Sequence, residues 1–421
     1  MKKRKIAAVI CEYNPFHGGH EALLRSLRLL EGEDTAIVAI MSGNFTQRGE
    51  PAMFPKQIRA QCALHGGADL VLELPFPYSC AGAERFANAG VHIAAALGCV
   101  DSLFFGSECG DIASLTALAE KLESPAFASA YEALAERTGC AKKITTVFNH
   151  VYGTPDGRLL CEPNNVLGVE YIRALMRKNS SIRPLTFSRV GMRHDTTHAD
   201  AGEPISSASV ARAGLLRPDE REGVLSKLPK NIALILRQTI ADGRFLSADD
   251  RWLSYCLMFY RNCSPEQLLL CDGMAGGLGY RILQAAQACD TPATFFAALR
   301  SKKHTDAYLR RALIYGVFGI TRAKLNAPPA YTQLLAFNER GREVLSVSRK
   351  TATIPVFNRP SAINALPWEE QASVRADSVY CALLERPSRP SDEFRYRPYR
   401  ETAEKLSTSS VGQTIDILEK I

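Results

Sequence analysis

The stretch that decides the fold is "IAAVICEYNPFHGGHEALLRSLRLL", residues 6–30. It begins with a short apolar run typical of a buried β-strand, and from residue 20 onward its leucines recur at helical spacing. Between these two patterns, Asn14, Pro15 and a pair of glycines have the chemistry of a turn. The stretch therefore predicts a strand, a tight loop and a helix, with His17 in the loop and His20 in the first turn of the helix.

The same alternation continues through the first half of the chain. Strand-type runs recur at 35–43, 69–76, 102–108 and 184–191, and helical patterns lie at 56–67, 82–98 and 163–178. Apolar strands that alternate with helices predict a parallel sheet with helices on both faces. Ligands bind such sheets at the carboxyl ends of the strands, and here those ends carry polar segments rich in glycine and proline. We predict an α/β, Rossmann-like domain.

The second half of the chain has a different pattern. Strand signals fade after residue 216, most of 228–345 has the pattern of helices, and 348–367 is irregular and rich in proline. We therefore predict two domains, an α/β domain at 1–216 and a mainly α-helical domain at 217–421. The second contains two basic segments, "SKKHTDAYLRR" (301–311) and "FRYRPYR" (394–400).

The segment 394–400 alternates basic and aromatic residues. Arg395, Arg397 and Arg400 stand among one phenylalanine and two tyrosines. Basic side chains neutralise phosphates, and aromatic rings stack on unpaired bases, so the three arginines are candidate RNA-binding residues. The alternative is a solvated loop whose rings pack into the domain.

Composition limits the class of protein. The chain has 421 residues, a net charge of +7, 46% hydrophobic and 23% charged residues, as in soluble globular proteins with a mildly basic surface. We find no apolar run of the roughly 18 residues that a spanning helix needs. None of the twelve cysteines forms a Cys-x-x-Cys pair, which argues against a zinc ribbon and favours a reducing compartment. We predict a cytoplasmic protein without a membrane partner or a metal site.

The loop and helix start around "HGGH" (17–20) have the chemistry of a phosphate site. A helix N-terminus offers unpaired N–H groups and the positive end of the helix dipole. His17 and His20 are three residues apart, so both imidazoles can donate to one phosphoryl group, and the glycines leave room for a nucleotide. The alternative is an ordinary glycine-rich turn with two surface histidines. The position after the first strand of a parallel sheet favours the catalytic interpretation.

Several stretches together resemble a known family. "HGGH" is similar to the H-x-G-H signature of the nucleotidyltransferase superfamily, and "ISSASVAR" (205–212) to its second signature. "CEYNPFHGGH", "MSGNFTQRGEPA", "LELPFPYSCAGAERFA", "FGSE" and "PNNVLGVEY" resemble the tRNA(Met) cytidine acetate ligase family in the same order. The resemblance implies that ATP activates acetate to acetyl-adenylate. It also implies acetylation of the N4 amine of the wobble cytidine of elongator tRNA(Met).

The resemblance also implies site residues. His17 and His20 would be catalytic, and Ser207, Ser209 and Arg212 would hold the leaving pyrophosphate, as hydroxyls and a guanidinium can. Magnesium is a possible companion of the triphosphate. The implied ATP-binding residues are Ala7, Ala8, Val9, Ile10, Cys11, Glu12, Tyr13, Asn14, Pro15, Phe16, His17, Gly18, Gly19, His20, Gly106, Asn164, Arg189, Ser207, Ser209 and Arg212.

Other functions and other polar residues stay open at this point. Two alternatives are a small-molecule adenylyltransferase of cofactor biosynthesis and a non-catalytic RNA-binding protein that uses ATP as an effector. In the segment 41–51, the polar side chains either hold the acetate carboxylate or form an ordinary loop; they are Asn44, Gln47, Arg48 and Glu50. Lys56 and Arg59 either contact phosphate or lie on a solvated helix face.

Overall fold

The sheet is the centre of the molecule. The computed structural model describes residues 4–133, 140–153, 155–188, 207–248, 250–391 and 397–401. Within these ranges eight strands form one mixed sheet in the order β5-β4-β1-β2-β3-β6-β7, with β8 paired to β6. The strands are β1 (Ile6–Cys11), β2 (Ala36–Ser42), β3 (Leu70–Leu74), β4 (Ser102–Ser107), β5 (Arg183–Ser188), β6 (Thr332–Phe337), β7 (Val356–Phe357) and β8 (Tyr399–Arg400).

Strands β1 to β5 are parallel, as predicted, and β1 lies between β2 and β4. The register pairs Ile6 with Ala36 and Cys11 with Met41. The chain therefore runs from β1 outward to β3 on one side and then returns to place β4 and β5 on the other. Such a reversal of strand order opens a crevice at the carboxyl ends of β1 and β4.

The second half of the chain extends the sheet, which the sequence did not predict. Residues 332–337 fall in a region predicted to be helical, but they form β6, antiparallel to β3, with Leu70 opposite Phe337. This strand pairs the edge of β3 that would otherwise expose backbone groups. The predicted boundary at residue 216 stays a prediction, but the sheet takes strands from both sides of it.

Helices cover both faces of the sheet. They are α1 (Gly18–Glu31), α2 (Lys56–His65), α3 (Ala83–Ala96), α4 (Ile112–Glu123), α5 (Pro125–Ala133), α6 (Cys140–Tyr152), α7 (Pro163–Arg177), α8 (Ala208–Leu216), α9 (Arg221–Ser226), α10 (Lys230–Ala241), α11 (Asp250–Arg261), α12 (Pro265–Leu269), α13 (Leu278–Ala288), α14 (Pro292–Leu299), α15 (Asp306–Phe318), α16 (Arg322–Asn326), α17 (Glu339–Thr351), α18 (Pro360–Ile363) and α19 (Ala372–Leu383). Short 3₁₀ turns lie at Tyr78–Cys80, Pro155–Cys161 and Trp368–Gln371. In the ranges described, no helix combines the length and the apolar character needed to cross a bilayer.

Alternate residues of each strand point to opposite cores, because side chains alternate along a strand. Ile6, Ala8 and Ile10 face a core built with α3, α4, α7 and the helices α11 to α15. Ala7 and Val9 face a second core built with α1, α2, α8 and α10. The α/β class predicted from the sequence is thus confirmed, and both halves of the chain supply helices to the cores.

Candidate active site

The two histidines lie where strand order reverses. β1 ends at Cys11, the loop 12–17 crosses its carboxyl end, and α1 begins at Gly18. His17 is the residue that precedes the helix, and His20 is in the first turn, as the sequence predicted. The pair therefore stands at the crevice in which parallel α/β sheets bind their ligands.

The rings of His17 and His20 stack on one another. Their centroids are 3.7 Å apart with planes inclined at 29°. His17 Nδ1 accepts from the Gly19 N–H at 3.1 Å, and His20 Nδ1 accepts from the His17 N–H at 3.3 Å. Because both Nδ1 atoms accept, hydrogen bonding assigns the ring proton of each neutral imidazole to Nε2. The two rings thus present neighbouring N–H donors of the kind that stabilises charge on a phosphoryl oxygen.

The same hydrogen bonds start the helix. The His17 side chain caps the N–H of Gly19, and the His20 side chain reaches back to the His17 backbone, which together form a capping box. Tyr13 holds a left-handed backbone at φ +47°, and its ring meets the His20 ring edge-on at 4.9 Å. A strained, packed loop of this kind holds the imidazoles in place before any ligand arrives.

The predicted ATP-binding residues of β1 are buried. Residues 7–11 pair with β2 along the whole strand, and the side chains of 7–10 are at most 9% exposed. Burial raises the pKa of the Cys11 thiol, so it stays protonated. Phe16 is fully buried. Burial of the side chains therefore leaves the backbone of residues 7–10 for any contact with ATP, and their predicted role stays a prediction.

Arg59 supports the loop from within the protein. The sequence predicted either a phosphate contact or a position on a solvated helix face for Arg59, but its side chain is only 1% exposed. It donates to the carbonyl oxygens of Phe54, Glu12 and Gly43, at 2.9, 2.6 and 2.5 Å. Burial lowers the pKa of the guanidinium, while three carbonyls replace its water shell. Arg59 thereby ties the ends of β1 and β2 together.

Lys56 is also buried, in an ion cluster. Its Nζ lies 2.8 Å from Glu73 Oε2, 2.6 Å from Asp377 Oδ2 and 3.3 Å from Gln333 Oε1. Burial acts to lower the pKa of Lys56, but Asp377 and Glu73 outweigh it and raise that pKa. Both alternatives considered for Lys56, a phosphate contact and a solvated face, are therefore wrong. The lysine joins α2 and β3 to α19.

The loop after β2 is largely committed to protein contacts. Asn44 accepts from the Lys56 N–H at 2.7 Å and donates to Asp377 at 2.9 Å, and it is 2% exposed. The Gln47 N–H donates to Glu12 Oε1 at 2.7 Å, and Glu50 pairs with Arg310 at 3.0 Å. Of the polar side chains of this loop considered for acetate, only Arg48 is exposed.

The second signature meets the first in space. Arg212 Nη1 donates to the Asn14 carbonyl at 2.7 Å. Ser207 precedes α8 and is 5% exposed, and its Oγ has no hydrogen-bond partner among the described residues. Ser209 lies in the first turn of α8. A buried hydroxyl without a protein partner is available to a ligand oxygen. The structure thus brings Ser207, Ser209 and Arg212 to the loop of the two histidines.

Two further predicted ATP contacts lie in β4 and α7. Gly106 is in β4, next to β1, and Asn164 lies in the first turn of α7. The sequence missed Glu108, which accepts from the Asn164 amide at 2.7 Å and from the Asn165 N–H at 2.8 Å. A carboxylate is favourable at a helix N-terminus. The position of Glu108 directly after β4 is the feature of the sequence that could have identified it. Arg189 and Arg395 lie outside the described residues.

Nowhere in the ranges covered by the structure do three or more His, Cys, Asp or Glu side chains form a group that could hold a metal ion. The two histidines each use Nδ1 as an acceptor for a backbone N–H, which leaves that atom engaged. The groups that the structure brings together here are the two imidazoles and the Arg212 guanidinium.

Comparison with known proteins gives consistent matches along the chain. The model of the family described as HIGH Nucleotidyl Transferase matches residues 4–393. The tRNA(Met) cytidine acetate ligase of Acetivibrio thermocellus is 34% identical over 370 residues, which cover 84% of this chain and 87% of the relative. The tRNA(Met) cytidine acetate ligase of Listeria monocytogenes is 33% identical over 402 residues, 94% of this chain and 99% of the relative.

Solved structures agree with these matches. Thermotoga maritima TmcAL bound with alpha-thio ATP superposes with a TM-score of 0.84 at 29% identity, and 94% of this chain and 100% of that chain are covered. The apo form of the same protein gives a TM-score of 0.85 at 31% identity with the same coverage. The similarity therefore extends over both halves of the fold.

Proposed function

Because this chain belongs to the tRNA(Met) cytidine acetate ligase family of HIGH nucleotidyl transferases, we propose that it is an ATP-dependent ligase acting on acetate and tRNA. It activates acetate to acetyl-adenylate and acetylates the N4 amine of the wobble cytidine of elongator tRNA(Met). The observation that carries the proposal is the stacked His17–His20 pair at the crevice beside β1. Both rings present Nε2 donors there, as adenylate formation requires.

In the first step an acetate oxygen attacks the α-phosphorus of ATP in line with the leaving group. The bond from the α-phosphorus to the bridging oxygen breaks, and pyrophosphate leaves with the electron pair. His17 and His20 donate to the α-phosphoryl oxygens, on which negative charge increases. Arg212, Ser207 and Ser209 bind the pyrophosphate. A magnesium ion on the triphosphate would neutralise part of its charge. The protein contributes position and charge rather than covalent chemistry.

In the second step the cytidine N4 attacks the acetyl carbonyl carbon. The carbon–oxygen bond to the phosphate breaks, AMP leaves with the electron pair, and the amine loses a proton. No side chain has to act as a covalent nucleophile. This agrees with Cys11, whose thiol is held protonated because burial raises its pKa.

We infer that the protein works in the cytoplasm. Every cysteine whose side chain the structure describes is a free thiol, and of these eleven, six are buried and four are half-buried. Thiols that persist without pairing fit a reducing compartment, which is also where tRNA is found.

The deciding experiment is exchange of labelled pyrophosphate into ATP in the absence of tRNA. We expect exchange that depends on acetate, because reversal of the adenylation step returns pyrophosphate to ATP. A cofactor-building adenylyltransferase would need a phosphate ester instead of acetate, and an RNA-binding protein regulated by ATP would show no exchange. Acetylation of tRNA by acetyl-CoA without ATP would contradict the adenylation mechanism.

A further inference from the structure

Among the described residues, five cations in or close to the segment 300–311 form no ion pair with a carboxylate. In the segment 300–311, Arg300 pairs with Asp306 at 2.7 Å and Arg310 pairs with Glu50 at 3.0 Å. In the part of the chain that the structure covers, other cations of this region form no ion pair, and Lys302, Lys303 and Arg48 are exposed. We call this set the basic surface; it consists of Arg48, Arg281, Lys302, Lys303 and Arg311.

Helix α15 connects the basic surface to the candidate site. Arg311 Nη1 donates to the Gln47 carbonyl at 3.1 Å, and the Gln47 N–H donates to Glu12. Gly49 has φ +79°, and a Cβ added there would lie 2.6 Å from the Arg311 nitrogen. The loop after β2 and the backbone of α15 are therefore in direct contact. The α15 end of the basic surface lies at the carboxyl edge of the sheet.

Two other cations of the basic surface, Lys303 and Arg281, lie close to His304. A Cβ added to Gly276 would lie 3.1 Å from Lys303 Nζ, and Tyr308 donates to the Gly273 carbonyl at 3.3 Å. Burial lowers the pKa of His304, and the nearby charges of Lys303 and Arg281 lower it further. The His304 ring stacks on Tyr308, with centroids 4.6 Å apart and planes inclined at 9°.

We propose that the basic surface binds the phosphate backbone of the RNA substrate next to the wobble position, with the His304–Tyr308 stack as a platform for an unpaired base. This rests on the proposed function. Uncompensated cations repel one another in the free protein, and RNA phosphates relieve that repulsion while releasing counterions. Stacked rings bind bases of any identity, which suits a loop of single-stranded nucleotides.

Arg400, one of the predicted RNA-binding residues, lies at the opposite edge of the sheet. Arg400 pairs with Glu339 at 3.0 Å, and β8 places it beside Phe337, which lies opposite Leu70 at the start of β3. The length of β3 separates that end from the carboxyl edge, about 16 Å at roughly 3.3 Å per residue. A cytidine bound at the two histidines would have its neighbouring phosphates at the carboxyl edge of the sheet. The basic surface is therefore nearer to those phosphates than Arg400 is.

The test compares two adjacent pairs of exposed cations. Lys302→Ala with Lys303→Ala removes part of the basic surface. Arg349→Ala with Lys350→Ala removes the same charge from the end of α17, where Thr351 bonds to the Leu97 carbonyl near the amino edge. We measure affinity for an elongator tRNA(Met) transcript at several salt concentrations.

We expect the Lys302/Lys303 variant to bind about tenfold more weakly or worse. Its slope of log affinity against log salt should fall by up to about two, and the α17 variant should match the parent. An unchanged slope, or the same loss in both variants, would overturn the proposal. Thermal unfolding of both variants shows whether they fold like the parent.

Two further measurements separate the alternatives. If the Lys302/Lys303 variant loses affinity for polyglutamate but keeps the parent's affinity for the tRNA, the surface recognises acidic polypeptide and the RNA proposal is wrong. Acetate-dependent exchange of pyrophosphate is measured without RNA. Failure of that exchange in the parent would contradict the proposed function, whereas the salt titration would still decide whether the surface binds RNA.

Discussion

Arg212 donates from Nη1 to the carbonyl oxygen of Asn14 at 2.7 Å, although the two residues are 198 positions apart in the sequence. The contact places the second signature of the chain against the loop that carries the two histidines. It also fixes the guanidinium beside the N-terminus of α1, where anions are favoured. The arginine can therefore hold the loop and a phosphate at the same time.

Replacing Arg212 tests this dual role. Arg212→Lys keeps the charge but loses the planar fork, so we expect acetate-dependent exchange to fall about tenfold and the KM for ATP to rise. Arg212→Ala should cost about a further tenfold. Arg217→Lys is the control, because Arg217 lies one residue beyond α8 and pairs with Glu220 on the surface. Parent-level exchange in Arg212→Lys would show that the fork is not used.

Removal of the His20 imidazole should abolish most adenylation. We expect His20→Ala to lower the exchange rate by about 10²–10³, the usual loss for one donor to a developing charge. Stability should fall by no more than about 1 kcal/mol, because one hydrogen bond to the His17 backbone is lost. Exchange and urea unfolding are measured on the same preparations.

His150→Ala is the control for the histidine, since His150 is exposed on α6. It should match the parent in both measurements. Near-normal exchange in His20→Ala would contradict the catalytic role of His20. If the variant is much less stable than the parent, the exchange rates are compared under conditions in which both proteins are folded.

Lys56→Met should destabilise the fold. The substitution leaves Glu73 and Asp377 buried with no cation between them, and breaking a buried ion pair costs about 3–5 kcal/mol. The free energy of unfolding is measured in urea at pH 8. Lys230→Met, at the exposed start of α10, should change it by less than about 0.5 kcal/mol. Equal stability of the two variants would mean that the cluster contributes little.

Glu73→Gln should change how stability depends on pH. Burial raises the pKa of Glu73 from 4.5 to about 7, although Lys56 acts in the opposite direction. A carboxyl group with a raised pKa binds protons more tightly in the folded state. Its contribution to stability is therefore greatest below pH 4.5, falls as the pH rises to about 7, and is constant above that.

The glutamine variant lacks this titration. Between about pH 4.5 and pH 7 its stability relative to the parent should increase, by up to about 3 kcal/mol at roughly 1.4 kcal/mol per pKa unit. Unfolding free energies at pH 5, 6, 7 and 8 give the curve. Glu120→Gln, on the exposed face of α4, should run parallel to the parent. A parallel curve for Glu73→Gln would contradict the raised pKa.

The predicted RNA-binding role of Arg395, Arg397 and Arg400 stays a prediction. Since Arg400 already pairs with Glu339, replacing Arg397 and Arg400 by Ala should lower the salt slope of tRNA binding by less than one. The same transcript and salt series serve as the measurement. A fall of about two would show that Arg397 and Arg400 contact phosphates, although Arg400 lies at the amino edge.

Local patterns were enough to predict the first half of the sheet. Apolar runs and turn chemistry are properties of neighbouring residues, and they gave β1 to β4 and the position of His17 and His20 within a few residues. The alternation of strands and helices also predicted which ends of the strands carry the site. Residues 332–337 lie in a region that was predicted to be helical. Their partner strand, β3, is more than 250 residues earlier in the chain, so the local pattern could not reveal the pairing.

The sequence by itself determined the α/β class, the strand–loop–helix unit around "HGGH" and the candidate donors His17 and His20, because each depends on spacing along a short segment. Only the tertiary structure decided what the cations do. Lys56 is buried because Asp377, 321 positions away, meets it. Arg59 is buried because three carbonyls converge on it, and Arg400 is paired at the far edge. A charge is solvated, paired or free for a ligand according to its neighbours in space, and those are set only when the chain has folded.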